Sequence, residues 1–177
     1  MRIAVFILAA MVLAACQHSG EFEPFREVSC FEAARVSIAD AIAAAEAGGG
    51  TAIDADYRQD EELGCVGGNP GVYDVTLLTG RTIGVVSVNA RTRAVGPREE
   101  EPAMTALFGS APTFEGSPAD MAGLVPRLSM NIAQAVAEAE KQGGKAMAAW
   151  IERKDGRPGY TVKLVDRGRV NVVWVAA

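Results

Sequence analysis

The chain has 177 residues and a formal net charge of −5 at pH 7. Mild acidity argues against nucleic acid as a partner, because binding to phosphate backbones needs clustered Lys and Arg. Its single histidine, His18, lies near the amino terminus and leaves the rest of the chain without the commonest general base and metal ligand. We therefore expect a protein that is not an enzyme, with no catalytic residues, no metal and no cofactor. The alternative is a carboxylate-only site within Asp54, Asp56, Asp60, Glu61 and Glu62, although an acidic loop is more often a solvated face or at most a weak calcium site.

The amino terminus is typical of a secretion signal. Met1 and Arg2 precede an apolar run over residues 3–15 that is too short to span a bilayer comfortably. The run ends in L-A-A-C at Cys16, which resembles the lipobox of bacterial lipoproteins. The resemblance implies a signal peptide over residues 1–15, lipidation of Cys16 and a membrane anchor in the cell envelope. The alternative is an ordinary signal peptide followed by a chance cysteine.

The residue after the anchor and the remaining cysteines refine this expectation. Gln17 follows Cys16 where an Asp would favour the inner membrane in lipoproteins of the enteric type, which implies the outer membrane and a periplasm-facing chain. Residues 16–35 are predicted to be the lipidated cysteine and a tether. In an oxidising compartment, Cys30 and Cys65 are predicted to form one disulfide. Two free redox thiols, the alternative, would favour a C-x-x-C motif, which the sequence lacks.

Two blocks of sequence occur twice. Residues 38–57 match residues 132–151 at ten of twenty positions, and residues 73–90 match residues 160–177 at seven of eighteen. Such self-similarity indicates a tandem duplication. Each copy begins with a helix N-cap, Ser37 or Asn131, before the apolar stripe of an amphipathic helix. Glycines then end the helix, and alternating apolar residues predict strands.

We therefore predict an α+β fold of two tandem helix-strand-strand-strand repeats, each a helix packed on a small antiparallel sheet. The repeats cover residues 36–96 and 129–177. A proline-rich connector is predicted over residues 97–128, with a short helix that starts near Pro118. The second copy is too small to fold alone, so the copies should pack as one body. The sequence leaves open whether their sheets join edge to edge or stack.

The loop over residues 58–72 is seven residues longer than its counterpart in the second copy. It is either a solvated loop stapled by the disulfide or a binding loop. Its candidate binding residues are polar or acidic side chains, namely Asp60, Glu61, Glu62 and Asn69.

Three short motifs carry a family resemblance. V-S-I-A-D-A-I at residues 36–42, Y-D-V at residues 73–75 and V-S-V-N-A-R-T at residues 86–92 resemble the PepSY domain. The chain departs from the family pattern at Asn89, usually Asp, and at Arg93, usually Gly. The resemblance implies a non-catalytic binding or regulatory module that restrains peptidases or helps them to fold.

Two functions follow from these observations. The first is a protein-binding module that modulates an envelope peptidase or sensor through an exposed strand edge or the loop over residues 58–72. The second is a structural, scaffolding lipoprotein with no regulatory activity. Trp150 and Trp174 discriminate between them, because two buried rings would leave the binding hypothesis without its best anchors.

Overall fold

A computed structural model describes residues 23–59, 71–100 and 118–177. Its helices are α1 (Glu23–Glu32), α2 (Ile38–Glu46), α3 (Pro118–Leu124) and α4 (Ile132–Glu140), with a 3-10 helix at Val125–Arg127. Its strands are β1 (Thr51–Arg58), β2 (Val72–Thr79), β3 (Thr82–Asn89), β4 (Val95–Glu100), β5 (Lys145–Lys154), β6 (Arg157–Asp166) and β7 (Arg169–Ala176). None of the described helices is long and apolar enough to cross a membrane.

Local sequence explains where the two packed helices begin. The Ser37 side chain accepts a hydrogen bond from the backbone N–H of Asp40 at 3.1 Å, as expected for an N-cap. Asn131 does the same for Gln134, whose side chain accepts in return from the Asn131 N–H, completing a capping box. The predicted starts of α2 and α4 are therefore confirmed.

Two buried tyrosines fasten these helix starts to the sheet. The Tyr73 hydroxyl, on β2, donates to the carbonyl of Val36 at 2.9 Å, and the Tyr160 hydroxyl, on β6, donates to the carbonyl of Met130 at 2.9 Å. Each acceptor immediately precedes a helix cap. Burial raises the pKa of Tyr160 to about 12 and shifts the pKa of Tyr73 upward as well. Both phenols therefore stay protonated as donors at neutral pH.

All seven described strands form one antiparallel sheet in the order β4-β3-β2-β1-β5-β6-β7. The sheet is continuous because β1 pairs with β5, where Asp54 lies opposite Trp150, Ala55 opposite Ala149 and Asp56 opposite Ala148. Of the two arrangements that the sequence left open, edge-to-edge joining and stacking, the structure shows edge-to-edge joining into a single sheet. Because β1 and β5 pair with each other, neither strand is an exposed edge. The helices α2 and α4 pack side by side against the joined strands, so the two parts share one core.

Two described elements were not predicted. Residues 23–32, which the sequence assigned to a tether, form α1, whose Phe31 is fully buried and packs edge-on against the Tyr57 ring at 5.3 Å. The Lys145 ammonium lies 4.7 Å from the centre of the Phe31 ring. The predicted connector over residues 97–128 begins inside β4. The sequence did not predict this strand because it contains a proline and three charged residues, which are uncommon in strands. The helix expected near Pro118 is present as α3.

Candidate functional site

Most site residues predicted from the sequence lie outside the described residues. These are Cys16, Asp60, Glu61, Glu62, Cys65 and Asn69, and His18 is outside them too. Cys30 is described, fully buried and disulfide-bonded. Its pairing with Cys65 stays a prediction.

Within the described residues, the candidate site lies on the face of the sheet opposite α2 and α4, which we call the far face. Strand alternation brings its side chains into rows that cross the sheet. One row runs through Thr76, Asp54, Trp150, Thr161 and Trp174. The next runs through Ser87, Asp74, Asp56, Ala148, Lys163 and Val172.

Both tryptophans lie in the first row and are half-buried. The Trp174 ring packs over Gly159, where a Cβ atom would lie 2.8 Å from the ring and 2.5 Å from the Val175 carbonyl oxygen. Glycine at this position therefore makes room for the indole. The Lys154 ammonium lies 6.0 Å from the Trp174 ring centre. Two large aromatic surfaces are thus held on the sheet with part of their area accessible to solvent.

Three carboxylates adjoin the aromatic pair. Asp54 and Asp56 are two residues apart on β1 and share the far face, and Asp56 lies directly opposite Asp74 on β2. Asp74 is held by two donors, the Arg58 Nε at 2.6 Å and the Ser87 hydroxyl at 2.5 Å. The Asp74 side chain therefore accepts hydrogen bonds from both neighbouring strands.

The clustering changes the protonation of Asp54. Burial, and then the charges of Asp56 and Asp74, raise the pKa of Asp54 to about 7. Burial also raises the pKa of Asp56, against the opposing effect of the Lys163 ammonium. The far face therefore carries a negative charge that changes near neutral pH.

The far face offers charged groups and hydrogen-bond acceptors. No group of three or more His, Cys, Asp or Glu side chains within the described residues is placed to hold a metal ion. An acidic patch on β1 and β2 borders an aromatic patch on β5 and β7, a combination suited to a protein or peptide surface. The D-A-D alternation at residues 54–56 predicts that Asp54 and Asp56 share one face of the strand. The positions of Asp74 and Trp150 beside them follow only from the strand register.

No protein-family model matches the chain, and no curated protein matches it. Among solved structures, the chain is similar to "a putative lipoprotein (CD1622) from Clostridium difficile 630" at 17% sequence identity and a TM-score of 0.40, over 80% of this chain and 94% of that one. The resemblance to PepSY domains stays a prediction.

We predict that Asp54→Asn makes the protein more stable at pH 8 and leaves its stability nearly unchanged at pH 4. The folded state raises the pKa of Asp54 from 3.8 to about 7, so the folded protein binds the proton more tightly than the unfolded chain. The contribution of this group to stability is thus present below pH 4 and lost as the pH rises to 7. The expected gain at pH 8 is about 2 kcal/mol, reduced from the full shift because Asp54 is partly exposed.

Denaturant unfolding at both pH values measures this difference. Asp155→Asn, in the exposed turn between β5 and β6, removes the same charge away from the cluster and should give equal changes at both pH values. A constant offset between Asp54→Asn and wild type across this pH range would contradict the prediction.

Proposed function

We propose that the protein is a non-catalytic lipoprotein of the bacterial cell envelope that binds another protein through the far face and modulates a peptidase or sensor. The anchor is Cys16, and the folded part faces the periplasm at the outer membrane. One observation carries the binding function, namely the partial exposure of both Trp150 and Trp174 on one face. Half-exposed tryptophans are enriched at the centres of protein interfaces.

Comparing the two halves supports assigning function to the far face. Most strand positions identical in both copies lie on the helix side, for example Ala52 and Ala146, Ala55 and Ala149, Tyr73 and Tyr160, Val75 and Val162, and Leu77 and Leu164. On the far face the copies differ, with Asp54 against Ala148, Asp56 against Trp150, Asp74 against Thr161 and Ser87 against Trp174. Packing explains the shared positions, whereas the acidic and aromatic patches are particular to one copy each.

The register of the sheet supports the tandem arrangement itself. The sequence alignment places Ala55 on Ala149, and these two residues face each other where β1 pairs with β5. A pair of equivalent residues at the junction is the geometry of an isologous, two-fold interface. We infer two PepSY-like repeats joined as a dimer within one chain. The implied function of such modules is binding and regulation.

The scaffolding alternative needs no exposed aromatic surface. A lipoprotein with only a scaffolding role does not need two tryptophans that are partly exposed to water. Exposed aromatic area favours association with another molecule. The binding function therefore explains the far face better.

Lipidation at Cys16 has a direct test. Cells that express the wild-type chain and are labelled with radioactive palmitate should incorporate label into the protein, and the Cys16→Ser variant should not, since the thiol is the acylation site that the motif implies. Cys30→Ser serves as the control and should keep the label. Equal labelling of wild type and Cys16→Ser would contradict the proposed anchor.

Partner binding is tested by affinity capture from envelope extract, with residues 17–177 as bait. We expect a specific peptidase or sensor whose capture falls at least about tenfold when Trp150 and Trp174 are both replaced by Ala, since aromatic anchors each contribute about 2 kcal/mol or more. Val95→Ala, an exposed apolar side chain on β4, is the control and should leave capture unchanged.

Thermal unfolding must first show that each bait is folded. Capture of no specific protein by the folded wild-type bait, or undiminished capture by the tryptophan variant, would overturn the binding function.

A further inference from the structure

The two outer strands of the described sheet differ in how their edges are protected. β4 is six residues long, contains Pro97, and carries the charged side chains Arg98, Glu99 and Glu100. Its pairing with β3 includes a shift in register between Val86 and Val88. A short strand, a proline, charges and an irregularity are the features by which proteins block the addition of another strand.

β7, at the opposite end of the sheet, is longer, more regular and less charged than β4. Its eight residues pair with β6 in unbroken register, and they include no proline and one charged residue, Arg169. Val170 and Val172 are 46% and 63% exposed. Every second residue of such an edge presents its backbone N–H and C=O groups away from the sheet. The edge of β7 is therefore long, regular and apolar.

The first half of the molecule shows what occupies the corresponding place. β3 aligns with β7 in the internal repeat, so that residues 84–88 correspond to residues 171–175. The outer edge of β3 is covered by β4, which runs antiparallel along those positions. No strand within residues 23–59, 71–100 and 118–177 covers the outer edge of β7. The fold thus already contains one example of a strand added at this position.

Charge indicates what kind of strand would fit. Residues 145–177 contain seven Lys and Arg against three Asp and Glu, a net charge of +4 in a chain whose net charge is −5. Arg167 and Arg169 lie at one end of β7, together with Asp166 and the Glu32 carboxylate, which accepts from the Gly168 N–H. Arg157 lies beside the other end, where Gly159 pairs with Ala176. A second copy would bring two such basic edges together, whereas a strand with acidic ends would be attracted.

We propose that the edge of β7 binds an extended segment of the partner protein, which adds to the sheet as an antiparallel strand opposite residues 171–175. The segment has alternating apolar residues and acidic residues at both ends. Backbone hydrogen bonds hold it, Val170 and Val172 contact its side chains, and the basic residues select its charge. This inference rests on the proposed function and names the part of the partner that is recognised.

Synthetic peptides test the proposal with the full chain. The probe is a peptide of alternating valine and threonine with two glutamates at each end. Two further versions carry N-methyl groups on one or the other set of alternate backbone nitrogens, and a fourth has lysine at both ends. In an added strand only one set of N–H groups faces β7. We expect one methylated peptide to bind like the parent and the other, like the lysine peptide, to bind at least about tenfold more weakly.

Amide hydrogen exchange locates the bound peptide. Exchange of the amides in β7 should slow on binding, whereas that of β4 should not change. Equal loss of binding by both methylated peptides, absence of binding, or slower exchange at β4 would overturn the proposal. Sedimentation that shows a dimer of the chain, dissociated when β7 is blocked by Val172→Lys, would assign the edge to a second copy and overturn it as well.

These outcomes separate the two proposals. Peptide binding at β7 without any captured envelope protein would leave the strand-binding edge standing and remove the proposed function. Capture that depends on Trp150 and Trp174, without peptide binding at β7, would support the proposed function and overturn the strand-binding edge.

Discussion

The antiparallel pairing of β1 with β5 is the interaction on which the rest of the structure depends. Ala55 and Ala149 meet there, both fully buried, and their small side chains let α2 and α4 lie side by side above the joined strands. A unit as small as residues 129–177 rarely buries enough apolar surface to fold alone. The junction supplies a shared core, and it also places Asp54 of one half beside Trp150 of the other. The far face is thus a product of the junction and belongs to neither half alone.

The two surfaces proposed for binding follow from the same arrangement. The pairing of β1 with β5 makes the acidic side chains of β1 and β2 neighbours of the aromatic side chains of β5 and β7. The sheet is also unequal at its ends. β4 protects one end with a proline and charges, while β7 presents valines and backbone groups at the other. A partner that lies on the far face and extends a strand along β7 would use both surfaces, because Trp174 of the far face lies on β7 itself.

Local signals in the sequence were enough to predict α2, α4 and the strands after them, because caps, apolar stripes and alternation are encoded within a few residues. The single sheet was not predictable in the same way, since the choice between joining and stacking depends on how Ala55, Ala149 and the two helices pack in three dimensions. α1 was missed because its apolar signal is confined to a few residues such as Val28 and Phe31, which are meaningful only against Tyr57. The raised pKa of Asp54 likewise depends on strand register, which sets its distance from Asp74.

Native-state amide hydrogen exchange at the junction tests this account most directly. If one sheet and one core hold the molecule together, the hydrogen-bonded amides within residues 54–56 and 148–150 will exchange only through global unfolding, with the same free energy as the most protected amides of β2 and β6. Exchange at the junction with a markedly lower free energy, while β2 and β6 stay protected, would show two halves that open separately. That result would contradict the shared core and, with it, a far face that acts as one surface.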